Sequence, residues 1–149
     1  MIELRRMQIA DCGRVAEIAK QTLPESWSYQ EICKVLQYEY NVYYVAWDTI
    51  TNNIIGFAGI MVIDENAELL NIAIDPLCQH NKIGSALMEQ MIQEAWGHKA
   101  NRMLLEVRAG NLNAQRLYAK YHFTVLDVRK KYYNNPTEDA LVMSLERAV

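Results

Sequence analysis

No part of this 149-residue chain limits its fold more than residues 71–95, NIAIDPLCQHNKIGSALMEQMIQEA. Residues 71–74 form a short apolar strand that Asp75-Pro76 stops, and a helix begins near Lys82. Beyond that point Ile83, Leu87, Met91 and Ala95 recur at every fourth residue, with Ala86 and Met88 beside them. That is the period of a helix packed on a sheet. Between strand and helix lie Gln79, His80, Asn81 and Gly84, a polar turn with one glycine. Such a turn aims backbone N–H groups and the positive end of the helix at one point, which suits a phosphate. Many connections of this kind hold nothing, so the rest of the chain must decide.

Taken in order, residues 2–7 alternate as a first strand. Asp11 can cap a helix with Val15, Ile18, Ala19 and Thr22 on one face, closed by Pro24. A second helical pattern runs through Ile32, Val35 and Leu36. Before it stand Glu25-Ser26-Trp27-Ser28, where Ser28 is a good cap and Trp27 either packs locally or walls a binding groove. Residues 41–47 and 54–63 read as a hairpin, and 67–74 as the fourth strand. After the central helix come a strand at 102–107, a break at Ala109-Gly110-Asn111, and a short helix carrying Ala114, Leu117, Tyr118 and Tyr121. Strands at 123–133 and 141–145 finish the chain. The order β α α β β β α β α β β, without linker or repeat, predicts one domain, α/β or α+β, with helices on both faces of a sheet.

Composition narrows the function classes. A hydrophobic fraction of 51% with 22% charged residues is that of an ordinary soluble domain. A formal charge of −3 gives no electrostatic footprint for nucleic acid. Cys12, Cys33 and Cys78 are far apart and odd in number, so reduced, packed thiols are expected rather than disulfides or zinc. His80, His98 and His122 lack ligand spacing, and no metal is expected. Charged residues at Glu3, Arg5 and Arg6 precede any apolar segment, and no apolar run is long enough to span a membrane, so a cytoplasmic protein is expected.

Several residues can carry chemistry. Alternation along 103–108 puts Met103, Leu105 and Val107 on one face and Leu104, Glu106 and Arg108 on the other. Glu106 is then either ion-paired with Arg108 or another cation, or a desolvated carboxylate fit to act as a base. Tyr118 has the spacing of a core residue, and its hydroxyl is also a possible proton donor. Asn111 is a helix cap or reaches a ligand, and Glu68 faces the same groove as Glu106 or solvent. The glycines make neither GxxxxGK[ST] nor GxGxxG.

Together these stretches resemble the GNAT acetyltransferases, whose phosphate turn Q/R-x-x-G-x-G/A stands here as Gln79-His80-Asn81-Lys82-Ile83-Gly84. The likeness is strongest to the RimI-type branch, which acetylates the N-terminal alanine of a small-subunit ribosomal protein. It rests on Trp27-Ser28, NIAIDP at 71–76, LEVRAGN at 105–111, Ala114, Leu117-Tyr118, Phe123, Arg129, Tyr132-Tyr133 and Glu138-Asp139-Ala140. The resemblance implies a mixed, mostly antiparallel sheet of about seven strands with four helices on its two faces. It further implies acetyl-CoA as co-substrate, a ribosomal-protein N-terminus as acceptor, and neither nucleic acid nor membrane as partner. Ile72, Ala73 and Ile74 would pair with the pantetheine arm; His80, Asn81, Lys82, Ile83, Gly84 and Ser85 would hold the pyrophosphate; Asn111 would contact the cofactor. Glu106 would be the general base and Tyr118 the general acid, with Trp27, Glu68 and Tyr132 on the acceptor side and Glu68 the second candidate base. Other amines (a lysine side chain, a polyamine, a small molecule) are alternative acceptors, and a non-catalytic acyl-CoA-binding domain is an alternative class.

Two positions depart from the pattern. Lys82 and His122 stand where the family carries glycine. With ordinary helical angles Lys82 still points its N–H at the phosphates and adds its charge; with a positive φ it costs affinity.

Overall fold

The computed structural model describes residues 1–23, 27–79 and 82–148. Pro24, Glu25, Ser26, His80 and Asn81, and the roles expected of them, lie outside these residues. Among the described residues the chain forms β1 (Ile2–Arg6), α1 (Cys12–Thr22), α2 (Tyr29–Val35), β2 (Asn41–Asp48), β3 (Asn53–Ile63), β4 (Asn66–Ile74), α3 (Ile83–Gly97), β5 (Arg102–Arg108), α4 (Leu112–Lys120), β6 (Thr124–Tyr133) and β7 (Glu138–Glu146). The order is the one read from the sequence. β7 is longer than expected because Glu138 to Ala140 continue its pairing, with Arg129 opposite Ala140 and Tyr133 opposite Glu138.

The strands make one sheet in the order β1-β2-β3-β4-β5-β7-β6. Every neighbouring pair is antiparallel except β4 with β5. Alternation sends side chains into two apolar layers. Val42, Ala46, Leu69, Met103 and Leu105 join α3 and α4 through Leu87, Met88, Met91 and Tyr118 on one face. Tyr43, Val45, Phe57 and Ala73 join α1 and α2 through Val15, Ile18 and Ile32 on the other. The helices thus cover both faces of a mixed, mostly antiparallel sheet, as the resemblance implied.

Two helix starts follow different chemistry. Ser28 accepts from the Glu31 N–H while Glu31 reaches back to the Ser28 N–H, a reciprocal capping box for α2. Asp11 does not cap α1 with its side chain, contrary to expectation. Its carboxylate instead accepts from the Gln8 N–H at 2.8 Å and from both Arg5 guanidinium nitrogens at 2.8 and 3.0 Å, closing a short 3-10 turn at Ile9–Asp11. The cysteines are free, Cys12 fully buried and the other two half-buried.

Candidate active site

The parallel pairing of β4 with β5 covers only Asn66, Ala67 and Glu68 against Arg102, Met103 and Leu104. Beyond Glu68, β4 continues on β3 as far as Ile74, while β5 continues on β7 as far as Arg108. The sheet therefore opens into a wedge after Glu68, and the β4 backbone from Leu69 to Ile74 turns an edge without strand partner towards it. A bulge re-aims β4 at this place. Gly59 pairs with Asn71 and Ile60 with Leu69, which leaves Leu70 extra. Its cause lies on β2: the Tyr43 ring lies across Gly59, where a Cβ would come within 2.2 Å of it, and the Tyr43 hydroxyl donates to Asn71 Oδ1 at 2.6 Å.

The end of β4 is held from α1. Arg14 donates to the Asp75 carboxylate, and its Nε donates to the Ile54 carbonyl at 2.9 Å. Asp75 also accepts from the Leu77 N–H, and that bond, with Arg14, holds its carboxyl below the usual carboxylate range. Sequence reading missed Arg14. Its i, i+1 position beside the apolar face of α1 resembles any solvated arginine.

Two carboxylates share the mouth of the wedge. Glu106 Oε2 is buried without a hydrogen-bond partner among the described residues and faces Arg129 Nη1 at 3.7 Å. Arg108, the other partner considered, is engaged elsewhere: it donates to Glu138 at 3.2 Å and stacks on the Tyr133 ring at 4.3 Å. Glu68, at the last paired position of β4, faces the groove: burial and then the charge of Glu106 push its carboxyl upward, with Arg129 pulling the other way. Tyr132 completes the group. The Glu106 charge pushes its phenol up, and Arg129 lies over its ring at 5.6 Å. Two acids against one guanidinium leave a surplus of negative charge that attracts an ammonium group. Arg129 had no assigned role in the sequence, because its partner lies on a strand paired through β7.

Tyr118 belongs to the layer on the other face, buried at 6% exposure. Burial raises its phenol to about 12, with Tyr133 adding to the effect. It therefore stays a neutral O–H donor throughout the physiological range. It is connected to the carboxylates indirectly, since Tyr133 meets Tyr132 edge-on at 5.1 Å. The turn after α4 sets its position. His122 N–H donates to the Ala119 carbonyl and Phe123 N–H to the Tyr118 carbonyl, and the Phe123 ring lies 6.0 Å from that of Tyr118. This is a Schellman cap, and it puts His122 at φ 74°, where glycine is usual.

The phosphate turn shows the same feature. Lys82 caps α3 with φ 57° and ψ 23°, so the left-handed alternative holds, not the helical one. The first bond of α3 runs from Ala86 N–H to the Lys82 carbonyl, which leaves the amides of Ile83, Gly84 and Ser85 ahead of it. Among the described residues a Cβ on Gly84 would meet only Leu117, at 3.6 Å, an ordinary contact, so their packing does not demand a glycine there. The bare backbone suits close approach of a phosphate. Lys120 Nζ reaches Ser85 Oγ at 3.1 Å and adds a second cation beside the turn. Asn111 is a cap, its Oδ1 accepting from the Ala114 N–H at 3.2 Å. A pyrophosphate at α3 and an extended pantetheine along the β4 edge thus find fitting groups. Trp27, half-buried against the α1–α2 layer, lines two adjoining hollows on that side of the sheet.

Residues 12–123 match the model of the acetyltransferase (GNAT) family. A Haemophilus influenzae protein named [ribosomal protein bS18]-alanine N-acetyltransferase is 33% identical over 145 residues, spanning 95% of this chain and 96% of that one. The crystal structure of the ribosomal-protein-S18-alanine N-acetyltransferase from Escherichia coli superposes with a TM-score of 0.91 at 28% identity, covering 100% of this chain and 96% of that one. Arabidopsis thaliana NAA60, solved in complex with acetyl-CoA, shares the fold at a TM-score of 0.87 and 18% identity, with 98% of each chain covered.

Proposed function

Since the chain belongs to the GNAT family of acetyltransferases, we propose that it moves the acetyl group of acetyl-CoA to the N-terminal alanine amine of a ribosomal protein. The observation that carries this reading is the wedge after Glu68, an unpaired strand edge and a phosphate-ready helix start beside two carboxylates. The likeness to alanine N-acetyltransferases along nearly the whole chain supports the acceptor, and a ribosomal acceptor is the reason for proposing the cytoplasm as the compartment.

Acetyl-CoA is the co-substrate. Its pantetheine arm runs along Ile72, Ala73 and Ile74, and its pyrophosphate meets the amides of Ile83, Gly84 and Ser85. The acceptor enters from the side of Trp27, Glu68 and Tyr132. An α-amine has a pKa of about 8 and is largely protonated at neutral pH. The acidic mouth collects that ammonium, and Glu106, directly or through water, takes the proton as the nitrogen attacks the thioester carbonyl. The tetrahedral intermediate collapses with loss of the CoA thiolate, whose basicity, near that of a thiol of pKa about 8.5, is met by the Tyr118 O–H. No covalent enzyme intermediate is required.

Peptides beginning Ala, Ser, Gly or Met, with spermidine and free lysine as controls, test the reading in an acetyl-CoA assay with mass spectrometry to locate the product. Acetylation at the α-amine of the Ala peptide is expected, falling by about 10²-fold or more in Glu106→Gln and in Tyr118→Phe. Modification confined to lysine side chains or spermidine overturns the acceptor assignment. Full turnover by Glu106→Gln transfers the base role to Glu68.

A further inference from the structure

A second groove opens beside the carboxylate mouth and shares Trp27 with the acceptor side assigned above. It has a volume of about 360 Å³ and is walled by Trp27, Val35, Tyr38, Tyr40, Met61 and Leu70. It is continuous with the reaction site. Met61 is the cross-strand partner of Glu68, and Leu70, the bulged residue, follows Glu68 by two positions on the same strand. Its far wall is built from two tyrosines whose rings stack at 5.2 Å and 18°, yet remain 40% and 42% exposed. Stacked aromatic rings left in solvent at the end of a concave apolar surface are what a planar or bulky guest would cover. Among the described residues, the charged ones lining the groove are one acid and one base, Glu31 and Lys34. Their signs cancel, so the groove favours no charged guest. Asn41 also lines it, its Nδ2 donating to the Val35 carbonyl at 2.9 Å and so fixing the loop that carries both tyrosines to the end of α2.

We propose that this groove is the specificity site for the second or third residue of the acceptor polypeptide, and that it selects a large uncharged side chain there. The proposal rests on the N-terminal acceptor assigned above. Spacing fixes the position. Two residues along a strand span about 7 Å, and an extended chain advances about 3.3 Å per residue, so a peptide whose amine lies at Glu68 and Glu106 reaches Leu70 and Met61 with its second or third side chain. Met61 and Leu70 would take the near side of that chain, and Tyr38 and Tyr40 its far end.

The test is a peptide series beginning with Ala, in which the second and third residues are varied in turn among Gly, Leu, Phe, Asp and Lys. At one of the two positions kcat/KM is expected to be about tenfold higher for Leu or Phe than for Gly, Asp or Lys, carried mainly by KM, the size expected for partial burial of one large side chain. Tyr38→Ala and Met61→Ala, each checked for folding by circular dichroism, should bring that ratio towards one. The KM for acetyl-CoA reports separately on the cofactor side. Equal rates across the series, with the Ala amine still acetylated, overturn the groove assignment and leave the acetyltransferase reading intact. Absence of α-amine acetylation in every peptide overturns both. A preference for Asp or Lys, or self-association of the protein that Tyr38→Ala abolishes, also overturns it, the latter by naming a second copy as occupant.

Discussion

At the scale of single residues, the site is built from side chains held at some cost to the fold. Glu68 is the clearest case, because burial and the adjoining Glu106 both disfavour its charged form. An acid whose folded pKa is raised binds its proton more tightly in the folded state, so stability falls as pH rises through that value. Glu68→Gln is therefore expected to stabilise the protein at pH 7, with the gain shrinking towards pH 4, measured by urea unfolding at both values. An equal gain at the two pH values would show that charge is not the cause. His122 and Lys82 hold φ of 74° and 57°, where an L side chain is strained and glycine is not. His122→Gly is expected to add about 1 kcal/mol, or about 2–4 °C in Tm, while His122→Ala adds nothing. The strain at Lys82 is borne with or without CoA and so falls on stability and not on affinity: Lys82→Gly should gain similarly in stability but bind CoA up to about fivefold more weakly, since it removes a cation from a phosphate site. Calorimetric titration with CoA measures that second effect, and unchanged affinity would take Lys82 out of the phosphate site.

Among the elements, β4 does the most for function, and its two ends are fixed by residues far from it in sequence. Tyr43 and Gly59 set the bulge at Leu70, while Arg14 holds Asp75 and the Ile54 carbonyl. Between these anchors lies the edge offered to the cofactor. Loss of a charge-assisted pair with both partners mostly buried costs about 2–3 kcal/mol. Arg14→Ala should lose about that in unfolding free energy. It should also raise the KM for acetyl-CoA more than it lowers kcat, because the edge loosens while the carboxylates stay. Hydrogen exchange localises the effect: the Ile72 to Ile74 amides should exchange faster in the variant. Faster exchange spread evenly over the sheet would make Arg14 a general stabiliser and not an anchor of this strand.

For the whole molecule, the sequence disclosed the elements but not the opening between them. Period-two and period-four apolar spacing located the strands and helices, and LEVR followed by Asn111 and Tyr118 pointed to the wedge. Neither states that β4 and β5 part after three residue pairs, since that depends on β3 and β7 competing for their other edges. The Glu106–Arg129 contact was hidden for the same reason, being made through a strand order visible only in three dimensions. That order divides the sheet into β1–β4 and β5–β7, joined at the vertex by those three pairs and beneath by α3. A ligand lying in the wedge would cover the free edge of β4 and the start of α3 together and so hold these two elements in place. Binding to the folded state alone adds about 2.7 kcal/mol at a hundredfold excess over Kd. In a chain of this length that corresponds to a Tm rise on the order of 5–10 °C. CoA is expected to produce this rise by differential scanning fluorimetry and to slow exchange on the β4 edge. The acceptor peptide alone, which leaves that edge uncovered, should give a much smaller one. Equal stabilisation by peptide and CoA would mean that the wedge is not where the cofactor binds, and would separate the pyrophosphate site at α3 from the edge of β4.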